Sequence, residues 1–236
     1  MQFIIREIAS ERAHVVLNVD ETALASVRHS GRGMASVRPR ADGRRSERPR
    51  DETDRGFVST TYMALVCDCA ELQPLLPQVI LPKYTKRATP PARLQNQYST
   101  MGFPFEFWHG SSGRVTSRIF RKWSTRLRSA VGSFNPEAWI ILILDCATCH
   151  LDRASVRHLR RLGILVVIIP AKLTWLMQLL DVYCFGPLKR ELRESEARTR
   201  LRDPRGQVAA GQWMSMATSV IRSQVINRDW AECFSR

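Results

Sequence analysis

The stretch that decides the fold is Trp139-Ile-Ile-Leu-Ile-Leu-Asp145, an uninterrupted apolar run that ends in a carboxylate. A short run with apolar residues on both faces is typical of a strand that is covered on both sides, as in a sheet with parallel strands. The segments His14-Val-Val-Leu-Asn-Val-Asp20 and Ile164 to Ile169 predict two more buried strands. The first of these also ends in an aspartate.

Helical patterns lie between and after these strands. Apolar residues from Val115 to Ala130 recur at helical spacing, and Ser111 is the expected N-cap. Asp152 is expected to cap a short basic helix that runs to Leu162. A long helix is predicted from about 174 to 202, with a kink at Pro187. Weaker patterns predict strands at 57–66 and 75–81 and an irregular connection at 82–107.

Strands interleaved with amphipathic helices predict an α/β fold, with one sheet covered by helices on both faces. We expect the core to occupy residues 1–203 and a C-terminal helical appendage to occupy 204–236. The stretch 28–55 is rich in Arg, Gly and Ser and poor in large apolar residues, which predicts a mobile basic loop or insertion.

The charge balance points to a polyanionic partner. The 236 residues include 36 Lys and Arg against 22 Asp and Glu, for a net charge of +14, which favours nucleic acid. The predicted helix at 115–130 and the residues just before it carry a basic stripe that would contact phosphates, although a solvated outer face is the alternative. Its members are Arg114, Arg118, Arg121, Lys122 and Arg128. No apolar run approaches the roughly 20 residues that a membrane-spanning helix needs, so no membrane partner is expected.

Two predicted strands end in aspartates, Asp20 and Asp145, and a third acid, Asp181, follows the next helix and strand. Sites in open α/β sheets lie just beyond the carboxyl ends of the strands, so these side chains are expected to converge there. Clustered carboxylates need a cation, and hard oxygen ligands select Mg²⁺ or Mn²⁺, with a pair of ions suited to phosphodiester chemistry. On spacing alone, the alternative is that these aspartates only cap strands or helices.

Three sequence blocks in fixed order resemble the DDE/D transposase superfamily, in particular its mariner/pogo branch, which includes relatives similar to centromere protein B. The blocks are Asn18 to Thr22, Leu142 to His150 and Leu176 to Lys189. The resemblance implies a ribonuclease H-like fold and metal-dependent cleavage and joining of DNA. It also implies that Asp20, Asp145 and Asp181 are the metal-binding, catalytic acids.

The resemblance further implies supporting roles for Glu21, His150, Gln178 and Lys189. Two positions depart from the family pattern: Cys146 stands where Asn is usual, and Leu179 stands where Pro is usual. The alternative is therefore a decayed or domesticated relic that only binds nucleic acid. DNA is the expected partner, a homodimer is left open, and the expected location is nuclear in a eukaryote and otherwise intracellular.

The cysteines allow other interpretations. Cys146-Ala-Thr-Cys149-His150 matches the C-x-x-C-H pattern of haem attachment, but it follows a buried strand and no export signal precedes it, so no haem is expected. A zinc site that combines these residues with Cys67 and Cys69 is a second option. Small reduced thiols at strand ends are the third, and the one that we favour.

Overall fold

A six-stranded mixed sheet forms the centre of the protein in the computed structural model, which describes residues 13–25, 60–82, 105–108, 113–202, 208 and 210–235. Its strand order is β4-β3-β2-β1-β5-β6. The predicted basic loop at 28–55 and the predicted N-cap Ser111 lie outside the described residues. The strands are β1 (His14–Leu24), β2 (Thr60–Cys67), β3 (Gln78–Pro82), β4 (Phe105–Phe107), β5 (Trp139–Leu144) and β6 (Ile164–Ile168).

The sheet combines an antiparallel half with a parallel half. β1, β2 and β3 pair antiparallel, whereas β5 runs parallel to β1, and β6 runs parallel to β5. β4 lies at the far edge, parallel to β3. Together with the helices on both faces, this arrangement is the ribonuclease H-like mixed sheet, so the predicted fold class is confirmed.

Three strand predictions need correction. β1 does not end at Asp20 but continues to Leu24, because residues Leu17 to Leu24 pair with β2. β4 lies in a segment that was predicted to be irregular. β6 was predicted to be buried, but it is an edge strand of the sheet that the described residues form, and Leu165, Val166 and Ile168 are each more than a third exposed.

Helices α1 (Ser117–Phe134), α2 (Thr148–Leu151) and α3 (Arg153–Arg161) surround β5 in sequence. Thr116 caps α1 by accepting a hydrogen bond from the Ile119 amide at 3.3 Å, so this helix begins later than predicted. Asp152 caps α3 as predicted, accepting from the Ser155 amide at 3.2 Å.

The long helix predicted after β6 is divided into several elements. They are α4 (Thr174–Met177), a π-helical segment (Leu180–Cys184) and α5 (Phe185–Arg202). The segment predicted as a C-terminal helical appendage forms α6 (Ala210–Ile221), a second π-helical segment (Arg222–Ile226) and α7 (Ala231–Ser235). Among the described residues, none of these helices combines the length and the apolar character that crossing a bilayer requires.

Pro187 lies in the first turn of α5, just after the π-helical segment. Proline has no amide hydrogen, so it cannot donate to the carbonyl of Tyr183, four residues earlier. The Arg228 guanidinium donates to that carbonyl instead, at 3.1 Å, and its side chain lies over the Trp230 ring.

Helices cover the sheet on both faces. On one face α1 and α3 pack against alternate residues of β1, β2, β3 and β5 through Phe120, Trp123, Leu127 and Leu159. On the other face, α5 and α6 pack against β2, β3 and β4. The segment predicted as an appendage contributes Trp213 to this second core, and is therefore an integral layer of the fold.

Candidate active site

Asp20 and Asp145 lie beside each other where the parallel pairing of β1 and β5 ends. Asn18 is opposite Ile143 in that pairing, and each aspartate follows its partner by two residues. Because side chains alternate along a strand, both aspartates lie on the face opposite α1. Asp20 is 8% exposed, and Asp145 is half-buried. The convergence expected for these two acids is present.

Asp145 is fixed by His150, five residues further on. His150 Nδ1 lies 2.7 Å from Asp145 Oδ1, and the Ala147 amide donates to the same oxygen at 3.1 Å. Both bonds use Oδ1. The hydrogen bond to His150 holds the pKa of Asp145 below its ordinary value even though the group is partly buried. Asp145 is therefore ionised at neutral pH.

The His150 ring is enclosed and has a second carboxylate partner. Its Nε2 lies 3.4 Å from Glu21 Oε1, and its ring packs on Phe120 of α1 with ring centroids 4.6 Å apart. Burial alone would lower the pKa of His150, but hydrogen bonds to Asp145, Cys149 and Glu21 outweigh burial and raise the pKa to about 12. The predicted supporting residues Glu21 and His150 are thus brought together with Asp145.

Asp20 has the opposite electrostatic environment. Burial, followed by the nearby charge of Asp181, raises its pKa from 3.8 to about 7, and the charges of Glu21 and Asp145 act in the same direction. The Glu21 amide donates to Asp20 Oδ1 at 2.8 Å and opposes this shift. Asp20 therefore keeps its proton to a higher pH than an isolated aspartate does.

Asp181 lies on the first π-helical segment and is exposed. Two buried amide side chains hold this segment against the sheet. Asn18 Nδ2 donates to Gln178 Oε1 at 3.1 Å, and Gln178 Nε2 donates to the Val19 carbonyl at 3.0 Å. The amide of Leu180, next to Asp181, donates to Asn18 Oδ1 at 3.3 Å.

Asn18 is the site residue that sequence reasoning did not single out. The sequence signal was present, since Asn18 is a lone amide in an otherwise apolar stretch of β1. A fully buried polar side chain needs hydrogen-bond partners, so its presence in a core strand indicates a contact with another element. Here that element is the segment that carries the third acid, and its contact residue is Gln178, which was predicted.

Charges around Asp181 couple it to the rest of the site. Burial raises its pKa, the ammonium group of Lys189 lowers it, and the charge of Asp145 raises it. Lys189 is therefore close to Asp181, as its predicted supporting role requires. The charges of Asp181 and Asp145 both raise the pKa of Asp20, and the charge of Asp145 also raises the pKa of Asp181, which places the three aspartates within electrostatic reach of one another.

The three aspartates fit Mg²⁺ or Mn²⁺ by donor chemistry, because all are hard oxygen ligands whose mutual repulsion a divalent cation would relieve. They do not form a tight single-ion cage. Among the described residues, the one set of three potential ligands whose atoms all lie within 4.8 Å of one another is a different set, Glu21, Cys149 and His150. The three aspartates are not such a set, whereas opposite ligands of an octahedral Mg²⁺ are about 4.2 Å apart.

The predicted basic stripe is only partly available to a ligand. Arg121 pairs with Asp152 at 3.3 Å, and Lys122 lies over the Trp108 ring at 4.1 Å from its centroid. Arg128 donates to two backbone carbonyls, those of Ala138 at 3.0 Å and Pro136 at 3.1 Å. Arg114 and Arg118 are exposed. Arg121, Lys122 and Arg128 therefore have roles within the fold.

The fold and the site define a class, that of ribonuclease H-like proteins with aspartates at the carboxyl ends of the central parallel strands. The sequence matches the family model of the DDE superfamily endonuclease over residues 59–230, and the chain belongs to this family. The resemblance seen in the sequence is thereby confirmed. The matched region includes Asp145 and Asp181 and begins after Asp20. No curated protein matches the chain.

Solved structures of the Mos1 transposase, a mariner element, are similar to this chain. The catalytic domain of Mos1 with Raltegravir and Mg is 14% identical with a TM-score of 0.46, over 99% of this chain and 88% of that chain. A Mos1 mariner paired-end complex with Mn is 14% identical with a TM-score of 0.45, over 94% of this chain and 57% of that one. A third similar structure is a Mos1 transposase paired-end complex with the left transposon end, and the match covers 56% of the transposase chain in that complex. The chain thus spans little more than half of the transposases in the paired-end complexes.

Proposed function

We propose that this chain is the catalytic core of a transposase-type DNA endonuclease and strand transferase that uses Asp20, Asp145 and Asp181. The observation that carries the proposal is the position of Asp20 and Asp145, each two residues beyond Asn18 and Ile143, the last pair of the parallel strands β1 and β5. The Asn18–Gln178 contact supports it, because it brings the segment with Asp181 back to the same place. Family membership supplies the reaction class.

Electrostatics supports a metal-dependent reaction. The three aspartates would hold Mg²⁺ or Mn²⁺, which would supply a water of lowered pKa and neutralise charge on the phosphate. Since the three carboxylates do not form a tight single-ion cage, the arrangement favours a pair of ions that share them. Asp145 is kept ionised by His150, whereas Asp20 has a pKa of about 7, so cation binding at neutral pH would displace a proton from Asp20.

DNA is the proposed substrate. A net charge of +14 favours a polyanion, and exposed basic side chains such as Arg118 would contact its phosphates. DNA binding of this kind depends strongly on salt concentration, because each phosphate contact releases counterions. A homodimer and a nuclear location stay predictions from the sequence.

The second candidate function is a relic that binds nucleic acid without cleaving it, favoured by the departures at Cys146 and Leu179. The backbone weakens one of these objections. Leu179 has φ −54° and ψ −40°, which a proline also adopts, and Gln178 has the extended ψ of 103° that a residue before proline requires. Leucine therefore preserves the local conformation at this position.

Nicking of supercoiled plasmid with Mg²⁺ tests the proposal. Wild-type protein should nick the plasmid, and Asp20→Ala should reduce nicking to background. Binding of the same DNA without nicking would support the relic instead. Equal cleavage by wild type and variant would mean that another site or a contaminant is responsible.

A metal titration separates the two candidates without DNA. The active core should bind Mn²⁺, and Asp145→Asn should weaken that binding while circular dichroism stays unchanged. The same Mn²⁺ affinity in both proteins would contradict the proposed site, because the ion would then not depend on Asp145.

A further inference from the structure

A second cluster of potential metal ligands lies beside the aspartates and is chemically different from them. It consists of Glu21 on β1 and Cys149 and His150 on α2, with one ligand atom of each lying within 4.8 Å of the others. The sequence had raised zinc for Cys149 and His150, but with Cys67 and Cys69 as partners. The structure groups them with Glu21 instead.

We propose that Glu21, Cys149 and His150 form a binding site for a thiophilic divalent cation, with Zn²⁺ as the expected ion. The three donors are a carboxylate oxygen, a sulfur and an imidazole nitrogen, which are the ligand types that Zn²⁺ uses in proteins. A tetrahedral ion with three protein ligands keeps one position for water or another exchangeable group.

The orientation of His150 suits ligation. Its Nδ1 is bonded to Asp145 Oδ1 at 2.7 Å, which directs Nε2 toward Glu21 Oε1, 3.4 Å away. A carboxylate on one ring nitrogen and a metal on the other is the usual arrangement of zinc-bound histidines, because the carboxylate fixes the ring. The His150 side chain is fully buried, whereas that of Glu21 is 18% exposed, so an ion would enter from the side of Glu21.

Ligand chemistry separates this cluster from the aspartates. A thiolate and an imidazole select Zn²⁺ over Mg²⁺, whereas three carboxylates select Mg²⁺ or Mn²⁺. Asp145 interacts with both groups, because its Oδ1 is bonded to His150 and its charge raises the pKa of Asp20 and of Asp181. A zinc ion would therefore fix the base of the candidate active site without replacing its ligands. This inference does not depend on nuclease activity.

Co²⁺ binding to the full chain tests the proposal, since a thiolate ligand gives cobalt a charge-transfer band that oxygen ligands do not. We expect the wild-type protein in excess Mg²⁺ to show this band, and one equivalent of Zn²⁺ to remove it. Cys149→Ser should abolish the band and weaken Zn²⁺ binding by more than the roughly 10-fold that loss of a supporting contact costs. Cys146→Ser is the matched control and should retain both.

A band that is absent from the wild type, or that persists in Cys149→Ser, would overturn the proposal. So would loss of the band in Cys146→Ser alone. Thiol alkylation of the wild-type chain gives a readout that needs no variant: Zn²⁺ should slow modification of Cys149 and leave that of Cys146 unchanged. Equal protection or no protection of the two cysteines would show that Cys149 is only a hydrogen-bond partner of His150.

Discussion

The candidate active site has two halves that are held in place in different ways. Asp20 and Asp145 belong to the sheet half, where the register of β1 and β5 fixes their positions. Asp181 belongs to the helical half, on a π-helical segment that reaches the sheet through the side-chain amides of Asn18 and Gln178. One half depends on backbone pairing, and the other depends on a few side-chain bonds.

This difference indicates where each half is vulnerable. Backbone pairing keeps Asp20 in a buried position although burial and nearby charges raise its pKa to about 7. The sheet half can therefore hold the Asp20 carboxyl group in an electrostatically unfavourable position. The helical half is less strained but also less constrained, because a change in one amide would let the segment with Asp181 shift.

The largest effect is expected from Asp20→Asn, which removes the buried carboxyl group with the raised pKa from the sheet half. A carboxylate whose pKa rises from 3.8 to about 7 on folding stabilises the protein while it is protonated, and this stabilisation is lost as pH rises through 7. In EDTA, wild type should lose stability relative to Asp20→Asn by roughly 4 kcal/mol between pH 4 and pH 8. Chemical denaturation at several pH values measures this difference.

Addition of Mg²⁺ provides the control for the Asp20 prediction. A cation that binds only the folded state stabilises it by about 2.7 kcal/mol at a concentration 100-fold above its dissociation constant. Wild type should recover stability at pH 8 when Mg²⁺ is added, and Asp20→Asn should respond less. If the free energy of unfolding of the two proteins in EDTA depends on pH in the same way, then Asp20 is not the group with the raised pKa.

The next effect should come from releasing the helical half with Gln178→Met. This substitution removes the bonds to Asn18 and the Val19 carbonyl while keeping a similar side-chain volume. A displacement of about 1 Å at a reacting group can cost about 100-fold in rate, so we expect a loss of that order in plasmid nicking. The buried polar groups left without partners should also cost about 1–3 kcal/mol of stability, measured by denaturation.

Gln212→Met is the matched control for Gln178→Met, because Gln212 is exposed on α6, away from the sheet. It should leave both the nicking rate and the stability unchanged. If Gln178→Met loses stability but nicks DNA at the wild-type rate, then the amide contacts serve only the fold, and the distinction between the two halves fails.

Much of the sheet could be predicted from the sequence because its strands are short apolar runs bounded by turns. The run ending at Asp145 becomes β5, and the register beside β1 follows once both aspartates sit at one end. The errors came from pairing, which a local pattern does not reveal. β1 continues to Leu24 through its contact with β2, and β6 is the edge strand of the sheet that the described residues form.

The site was only partly predictable for a similar reason. The acids, His150 and Gln178 belong to recognisable blocks, but the partner of Gln178 was not foreseen, because Asn18 lies 160 residues away in sequence. The grouping of Glu21 with Cys149 and His150 was not predicted, because Glu21 comes near Cys149 only when β1 lies beside β5. Pro187 was expected to bend one helix, whereas a distant arginine, Arg228, satisfies the carbonyl that the proline leaves free.

The smallest effect should separate the arginines of α1 that the fold uses from those that face solvent. Arg118 is exposed, whereas Arg128 donates to the carbonyls of Pro136 and Ala138, which precede β5 in the chain. Arg118→Ala should lower DNA affinity a few-fold and reduce the slope of log affinity against log salt by about 1. Fluorescence anisotropy over a range of salt concentrations measures this slope.

Arg128→Ala is the informative partner of this experiment, because the same charge is removed from the same helix. It should cost about 1 kcal/mol of stability through the lost carbonyl bonds and leave the salt slope close to that of wild type. Equal slopes for the two variants would mean that DNA responds to the total charge of the helix. Unequal slopes would mean that the bound DNA contacts exposed side chains such as Arg118, and not the arginines that hold the fold together.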